Sequence, residues 1–275
     1  MRNFKMLTVL FAAFMLTFTA CKKDDSTPGI QPEITTLEIS ADNAEITVNL
    51  NEAVYSKNDK TGNLDASCFS VGVSDVNVTA TYSVTHVAGE GIATINLTFS
   101  NRVKAGVTLQ VTALKNKVYN ADGGALEADF SKTTTTVESG IIGKWSAYDI
   151  SAILHSLSFD DSLYANFKAD QSYEVTAFYL GTPLAFKGTY TQTKSASNDI
   201  WDIVLNQTLP SAVTSQGIFK AYAASPDSMW YEVAQVDPAI AGVTPPTAAV
   251  GFGSTSGGAL GTMNIQKYHW IGQIE

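Results

Sequence analysis

The side chains that most often do chemistry in proteins are scattered along this sequence. His86, His155 and His269 lie far apart and lack the short spacings of metal ligands. Asp160 and Asp161 are adjacent, so on a strand they point to opposite faces and make a poor acid–base pair. We therefore predict that the protein is not an enzyme, has no metal site and needs no cofactor.

A glycine-rich stretch near the C-terminus, "GFGSTSGGALG", also lacks the residues of a known catalytic or phosphate-binding motif. No Lys-Ser or Lys-Thr pair follows it, as a phosphate-binding loop would require. Its core, "GSTSG", has Thr255 where a nucleophile elbow would have serine. The stretch belongs to a long insertion between two predicted strands, and we expect it to form a loop or lid on the second domain.

One cysteine has a spacing that points to covalent chemistry. Arg2 and Lys5 precede an uncharged run, 6–20, which ends in Ala20 immediately before Cys21. The run is too short for a typical membrane span and is typical of a cleaved signal peptide. It resembles a bacterial lipoprotein signal, and this resemblance implies that Cys21 is lipidated, with palmitate-type acyl chains as the membrane anchor. The alternative is an ordinary secretory signal with an incidental cysteine.

The residues after Cys21 predict a tether and a location. Charged residues and then Pro and Gly make 21–33 unsuitable for regular structure. Lys23-Asp24-Asp25 resembles an export tag of surface lipoproteins, which implies the outer membrane with the protein facing the cell exterior; the periplasmic face remains the alternative.

Loss of Arg2 and Lys5 with residues 1–20 would take the net charge from −9 to −11, which disfavours a nucleic acid partner.

The segment 34–137 predicts a β-sandwich. Short alternating runs recur between Gly, Asn and Asp, and in "EITVNL" the apolar side chains of Ile46, Val48 and Leu50 share one face. Six or seven such strands in roughly 100 residues are typical of a sandwich. The step Asn51-Glu52-x-Val54, a loop at Gly106 and the turn at 122–124 resemble bacterial Ig-like domains, which act as spacers or interaction modules.

The segment 138–275 contains eight further predicted strands, the number that closes into a small antiparallel barrel. Gly143-x-Trp145, then "NFKADQSYEV", then Gly188-x-Tyr190 resemble the lipocalin-like domains of small bacterial lipoproteins. The predicted fold is thus all-β, an Ig-like β-sandwich followed by a lipocalin-like eight-stranded antiparallel β-barrel. Trp145 is expected to close the base of that barrel.

Aromatic side chains on these strands are the candidate site residues. They either fill the barrel or line a cavity that takes a ligand, since binding pockets are mostly apolar with a few placed polar groups. The candidate ligand-binding residues are Tyr173, Tyr179, Tyr190, Tyr231 and Glu232.

The predicted function follows from anchor and barrel together. We expect a membrane-anchored lipoprotein whose barrel binds a small apolar or glycan-derived ligand. The alternative is a non-catalytic scaffold or accessory subunit of a cell-surface nutrient-capture complex, with an envelope protein as partner.

Overall fold

A computed structural model describes residues 31–223 and 226–274 of the 275-residue chain. The predicted signal peptide, Cys21 and most of the predicted tether lie outside the described residues. Within that part of the chain, no helix has both the length and the apolar character needed to cross a membrane.

The first half of the described chain folds into two antiparallel sheets that pack face to face. The larger sheet has the strand order β1-β2-β5-β4 and the smaller has the order β3-β6-β7. The strands are β1 (Ile34–Ile39), β2 (Glu45–Leu50), β3 (Phe69–Val73), β4 (Ala80–His86), β5 (Ile92–Phe99), β6 (Thr108–Ala113) and β7 (Phe130–Thr135).

The core of this sandwich follows from the period-two pattern of its strands. Ile46 and Val48 of β2 are fully buried, as are Leu109 and Val111 of the facing sheet. The intervening side chains point to solvent, as expected for sheets with one buried face. Cys68 is buried beside them, and burial raises the pKa of its thiol.

The second half forms a closed antiparallel barrel in the order β10-β11-β12-β13-β14-β15-β8-β9. A one-turn helix, α1 (Ala152–Ser156), joins its first two strands. The strands are β8 (Gly143–Asp149), β9 (Phe159–Phe167), β10 (Ser172–Tyr179), β11 (Thr182–Lys194), β12 (Trp201–Leu209), β13 (Val213–Tyr222), β14 (Ser228–Asp237) and β15 (Gln266–Gly272). The predicted all-β fold, a sandwich followed by an eight-stranded barrel, is confirmed.

The two ends of the barrel differ in packing. Trp145 is fully buried at one end, where its indole N–H donates to the carbonyl of Ile141 at 2.7 Å. Phe219, Tyr190 and Phe167 are buried in the same cluster, so this end is closed by side chains. Because consecutive strands run up and down, the connections β8–β9, β10–β11, β12–β13 and β14–β15 all lie at the other end, which is open.

The sandwich contacts the closed end of the barrel. The amide of Phe99, at the end of β5, donates to the side chain of Gln273, just after β15, at 2.8 Å. The Arg102 guanidinium donates to the carbonyl of Gly140, just before β8, at 2.8 Å. The open end of the barrel therefore faces away from the sandwich.

Candidate functional site

The open end of the barrel leads into a cavity of about 460 Å³. The inward-facing side chains of seven strands, together with α1, the residue that follows it and the β12–β13 loop, line it. They are Leu154, Leu157, Phe159, Leu163, Ala165, Phe167, Tyr173, Val175, Ala177, Phe186, Leu205, Gln207, Pro210, Ser211, Val213, Ser215, Met229, Tyr231, Val233, Gln235, Gln266 and Tyr268. The barrel is therefore closed and filled at one end and hollow at the other.

The lining of the cavity is mainly apolar, and its described residues carry no charge. Alternation along β10 and β14 places Val175 and Val233 inward and turns their charged neighbours outward. Among the described residues that line the cavity, none is Asp, Glu, Lys, Arg or His. A charged ligand group inside would meet no opposite charge and would carry the full cost of desolvation.

Four polar side chains meet in the closed half of the cavity, and we call them the floor group: Tyr173, Tyr231, Gln266 and Tyr268. The rings of Tyr231 and Tyr268 are edge to face, with centroids 6.0 Å apart. The hydroxyl of Tyr268 donates to Oε1 of Gln266 at 2.6 Å. The hydroxyls of Tyr173 and Tyr231 and the Nε2 amide of Gln266 have no hydrogen-bond partner among the described residues, and all three are accessible from the cavity.

Burial keeps the tyrosines of the floor group protonated. Burial raises the pKa of Tyr173 to about 12. It raises the pKa of Tyr231 well above its ordinary value, and the nearby phenols of Tyr268 and Tyr173 add to this effect. Burial also raises the pKa of Tyr268. All three are therefore neutral at pH 7, and each has an O–H group that can donate a hydrogen bond.

The structure brings two of the five candidate ligand-binding residues to the cavity, Tyr173 and Tyr231. Tyr190 is on the inward face but lies below the cavity, in the closed end, where its hydroxyl donates to the carbonyl of Lys168 at 2.7 Å. Tyr179 is 45% exposed at the open end and packs against Phe159. The pairing of β10 with β9 shifts between Ala177 and Tyr179, so the inward alternation ends there.

Glu232 does not face the cavity. It is fully buried on the outer side of β14, because its neighbour Tyr231 faces inward. Its carboxylate accepts hydrogen bonds from the amide of Gly253 at 2.6 Å and from the amide and hydroxyl of Thr255 at 3.1 and 2.5 Å. Its role is thus to hold the long β14–β15 connection, not to contact a ligand in the cavity.

The same contacts show that the glycine-rich stretch belongs to a loop on the barrel wall and does not form the lid that was one of the two expectations. The β14–β15 connection, 238–265, packs on the outer wall of the barrel and contributes no residue to the described lining of the cavity. Besides Glu232, the side chains of Asp202 and Asn198 bind the backbone of Ala248, each at 2.9 Å. Asn264 donates to the carbonyl of Val233 at 2.8 Å.

Sequence reasoning missed Gln266 and Tyr268. The signal was present, because alternation through "IQKYHWI" places Gln266, Tyr268 and Trp270 on one face. Which of the two faces points inward was decided by the pairing of β15 with β14, where Gln266 lies opposite Tyr231 and Tyr268 opposite Met229.

The histidines lie in three separate environments. His86 is buried in the sandwich and accepts from the amide of Leu64 at 3.0 Å. His155 lies 3.1 Å from Asp161 at the surface, and His269 stacks on Tyr148. Across residues 31–223 and 226–274, no group of three or more His, Cys, Asp or Glu side chains is arranged to hold a metal ion.

Comparisons with known proteins give no family. No family model matches the chain, and no curated protein matches it. A solved structure of the N-terminal part of the bacterial S-layer protein SbsC is similar at 13% sequence identity and a TM-score of 0.32, over 67% of this chain. This chain covers 42% of that one, less than half its length, and a likeness at this level supports no argument about function.

Proposed function

We propose that this chain is a lipid-anchored bacterial envelope protein whose lipocalin-like barrel binds a small, mainly apolar ligand. The observation that carries the proposal is the cavity of about 460 Å³, open at one end and apolar in its lining. Its volume falls within the roughly 300–1,000 Å³ of known small-molecule pockets, which combine apolar walls with a few polar groups.

The size of the cavity limits the ligand. One water molecule takes up about 30 Å³, and a non-hydrogen atom of a ligand is of similar size. The cavity of about 460 Å³ therefore has room for roughly 15 non-hydrogen atoms. A sugar of that size would bring many hydroxyl groups against a wall of Leu, Val, Phe and Ala side chains that cannot bind them. The apolar class of ligand is therefore favoured over the glycan-derived class.

The location of the protein is part of the proposal. Acyl chains on Cys21 would hold the chain in the outer membrane, facing the cell exterior, and the segment 21–33 would link the anchor to the Ig-like sandwich. Since the sandwich contacts the closed end of the barrel, the open end faces away from the sandwich and is accessible to a ligand. The sandwich would then act as a spacer.

A cavity-filling substitution tests the binding function. Ala177 lines the cavity, and Ala177→Phe would occupy part of its volume. We expect at least tenfold weaker binding of a ten-carbon alcohol to the unlipidated mature chain, 21–275, measured by isothermal titration calorimetry. Ala185→Phe is the matched control, because Ala185 is on the neighbouring strand with its side chain outward, and we expect unchanged affinity.

Circular dichroism would establish that both variants are folded. Equal binding by the wild type and Ala177→Phe would place the ligand outside the cavity. If a panel of apolar ligands produced neither binding heat nor a thermal shift, the binding function would be excluded, and a scaffold role would then be favoured.

A further inference from the structure

The polar side chains around the cavity fall into two sets, with Gln207, Ser211, Ser215 and Gln235 towards the open end and the floor group in the closed half. Near the open end, the side-chain amides of Gln207 and Gln235 are already engaged by loop carbonyls, Ser211 at 3.0 Å and Pro238 at 2.6 Å. These two side chains hold loops in place. In the closed half, the floor group has donors with no partner among the described residues, at the hydroxyls of Tyr173 and Tyr231.

The hydroxyls of Tyr173 and Tyr231 are not among the fully enclosed polar atoms, so both are accessible from the cavity. A ligand that covered them without accepting their hydrogen bonds would lose about 1–3 kcal/mol for each group. Tyr173 and Tyr231 are both more than nine-tenths buried, and the ring of Phe167 packs against both. These rings are fixed in position by their packing, so a ligand acceptor that reaches the floor group would meet phenols that are already in place.

The chemistry of the floor group defines what it would accept. It consists of three neutral phenols and one amide, with no cation within the described lining. Such a set can donate hydrogen bonds to a hydroxyl, carbonyl or ether oxygen. It offers no counter-charge to a carboxylate or phosphate, which would lose its hydration without compensation.

The geometry points to a neutral amphiphile that enters head first, with an uncharged oxygen on Tyr173 and Tyr231 and an apolar tail towards the open end. This inference rests on the proposed binding function and specifies its ligand class. The tail would contact Leu205, Val213 and Val233, which line the wall above the floor group.

The test uses three ligands with the same ten-carbon tail and different ends. Decan-1-ol, decanoic acid and the hydrocarbon 1-decene are titrated into the unlipidated mature chain at pH 7.5. We expect the alcohol to bind at least tenfold more tightly than the acid. Tyr173→Phe and Tyr231→Phe each remove one donor and keep the ring. Each should weaken binding of the alcohol about five- to tenfold and leave the affinity for the hydrocarbon unchanged.

Lowering the pH separates the effect of charge from that of shape. The protonated fraction of the acid rises roughly tenfold for each pH unit down to its pKa, so its apparent affinity should rise towards that of the alcohol between pH 7.5 and 5.5. The alcohol is the internal control and should bind equally at both values. The described lining contributes no group that titrates in this range, since burial raises the pKa of Tyr173, Tyr231 and Tyr268.

Tyr190→Phe is the matched control variant. It removes a buried hydroxyl that donates to the carbonyl of Lys168 in the closed end, outside the cavity, so the affinity for the alcohol should not change. Equal binding of acid and alcohol at pH 7.5, or an unchanged affinity in both Tyr→Phe variants, would overturn the inference while binding itself stands. Failure of all three ligands to bind would instead overturn the proposed function.

Discussion

At the scale of single residues, one step along β14 separates two different roles. Tyr231 points into the cavity and Glu232 points out of the barrel, although both are buried. The carboxylate is buried and forms no ion pair with a described residue, but three hydrogen bonds from Gly253 and Thr255 compensate for its lost hydration. Burial alone is therefore a poor guide to which side chains can meet a ligand.

Removing the charge of Glu232 should weaken the attachment of the β14–β15 connection. Glu232→Gln keeps the size of the side chain but replaces one acceptor oxygen by an amide donor. We expect the free energy of unfolding to fall by about 1–3 kcal/mol, since hydrogen bonds to a charged group are the stronger ones. Urea denaturation followed by tryptophan fluorescence measures this change.

Glu174→Gln is the control for Glu232→Gln. Glu174 lies at the barrel surface, where Lys187 is 3.0 Å away and both side chains are more than a third exposed. An exposed ion pair contributes about 0–1 kcal/mol, so this variant should unfold almost like the wild type. A loss for Glu232→Gln no larger than that of Glu174→Gln would contradict the structural role of the buried carboxylate.

At the scale of elements, two neighbouring strands of the barrel approach each other closely at one glycine. Gly217 of β13 lies opposite Val233 of β14. A methyl group at Gly217 would lie only 2.1 Å from the carbonyl oxygen of Glu232 and 2.6 Å from Cα of Val233. The absence of a side chain at Gly217 is therefore a condition for the tight pairing of these two strands.

A methyl group at Gly217 tests this pairing. Gly217→Ala should lower the free energy of unfolding by about 1–3 kcal/mol, because the strand must shift to relieve the overlap. Gly72→Ala is the matched control in a strand of the sandwich, where the new methyl group would meet only Gln110 at 3.8 Å. Thermal melts of both variants measure the difference, and equal melting temperatures would argue against a tight β13–β14 contact.

Another element-scale feature is the β9–β10 hairpin. Gln171 has φ of 67°, in the left-handed region that favours glycine. The hairpin keeps its shape through hydrogen bonds from Gln171 to Lys168 and between the backbones of Lys168 and Ser172.

At the scale of the whole molecule, the order of the parts along the chain sets the direction of the cavity. The sandwich precedes the barrel and contacts its closed end, through hydrogen bonds to Gln273 and Gly140. Burial at this junction lowers the pKa of Arg102, and the nearby charges of Asp227 and Glu138 oppose that shift. The domain boundaries at 33/34 and 137/138 stay a prediction.

The proposed anchor is tested on the intact protein. Cys21→Ser removes the thiol that would be acylated, so we expect loss of palmitate labelling and release of the protein from the membrane fraction. Stable attachment needs two or more acyl chains, and Cys21 would carry all of them. Loss of this one residue would therefore remove the whole anchor, and we expect a complete loss of membrane attachment. Labelling of bacterial cells, followed by fractionation, measures both effects.

Cys68→Ala is the matched control, since Cys68 is the other cysteine of the chain and is buried in the sandwich core. This variant should keep both its label and its membrane association. Membrane association of Cys21→Ser equal to that of the wild type would contradict the anchor.

The sequence by itself determined the class of the fold and the order of its parts. Alternation in strands such as β2 predicted sheets with one buried face, and eight strands after 138 predicted a closed barrel. Alternation is a local property, because the two faces of a strand are set by neighbouring residues alone. The number of strands can likewise be counted along the sequence. The same pattern places Tyr231 and Glu232 on opposite faces, although both were candidate ligand-binding residues.

Only the tertiary structure decided which aromatic side chains line the cavity. Tyr173 and Tyr190 both face inward, yet the first lies in the hollow half and the second in the filled half. Tyr179 loses its inward position at a register shift between strands. Depth in a barrel and register depend on pairing between residues far apart in the sequence, and a period of two residues contains no information about either.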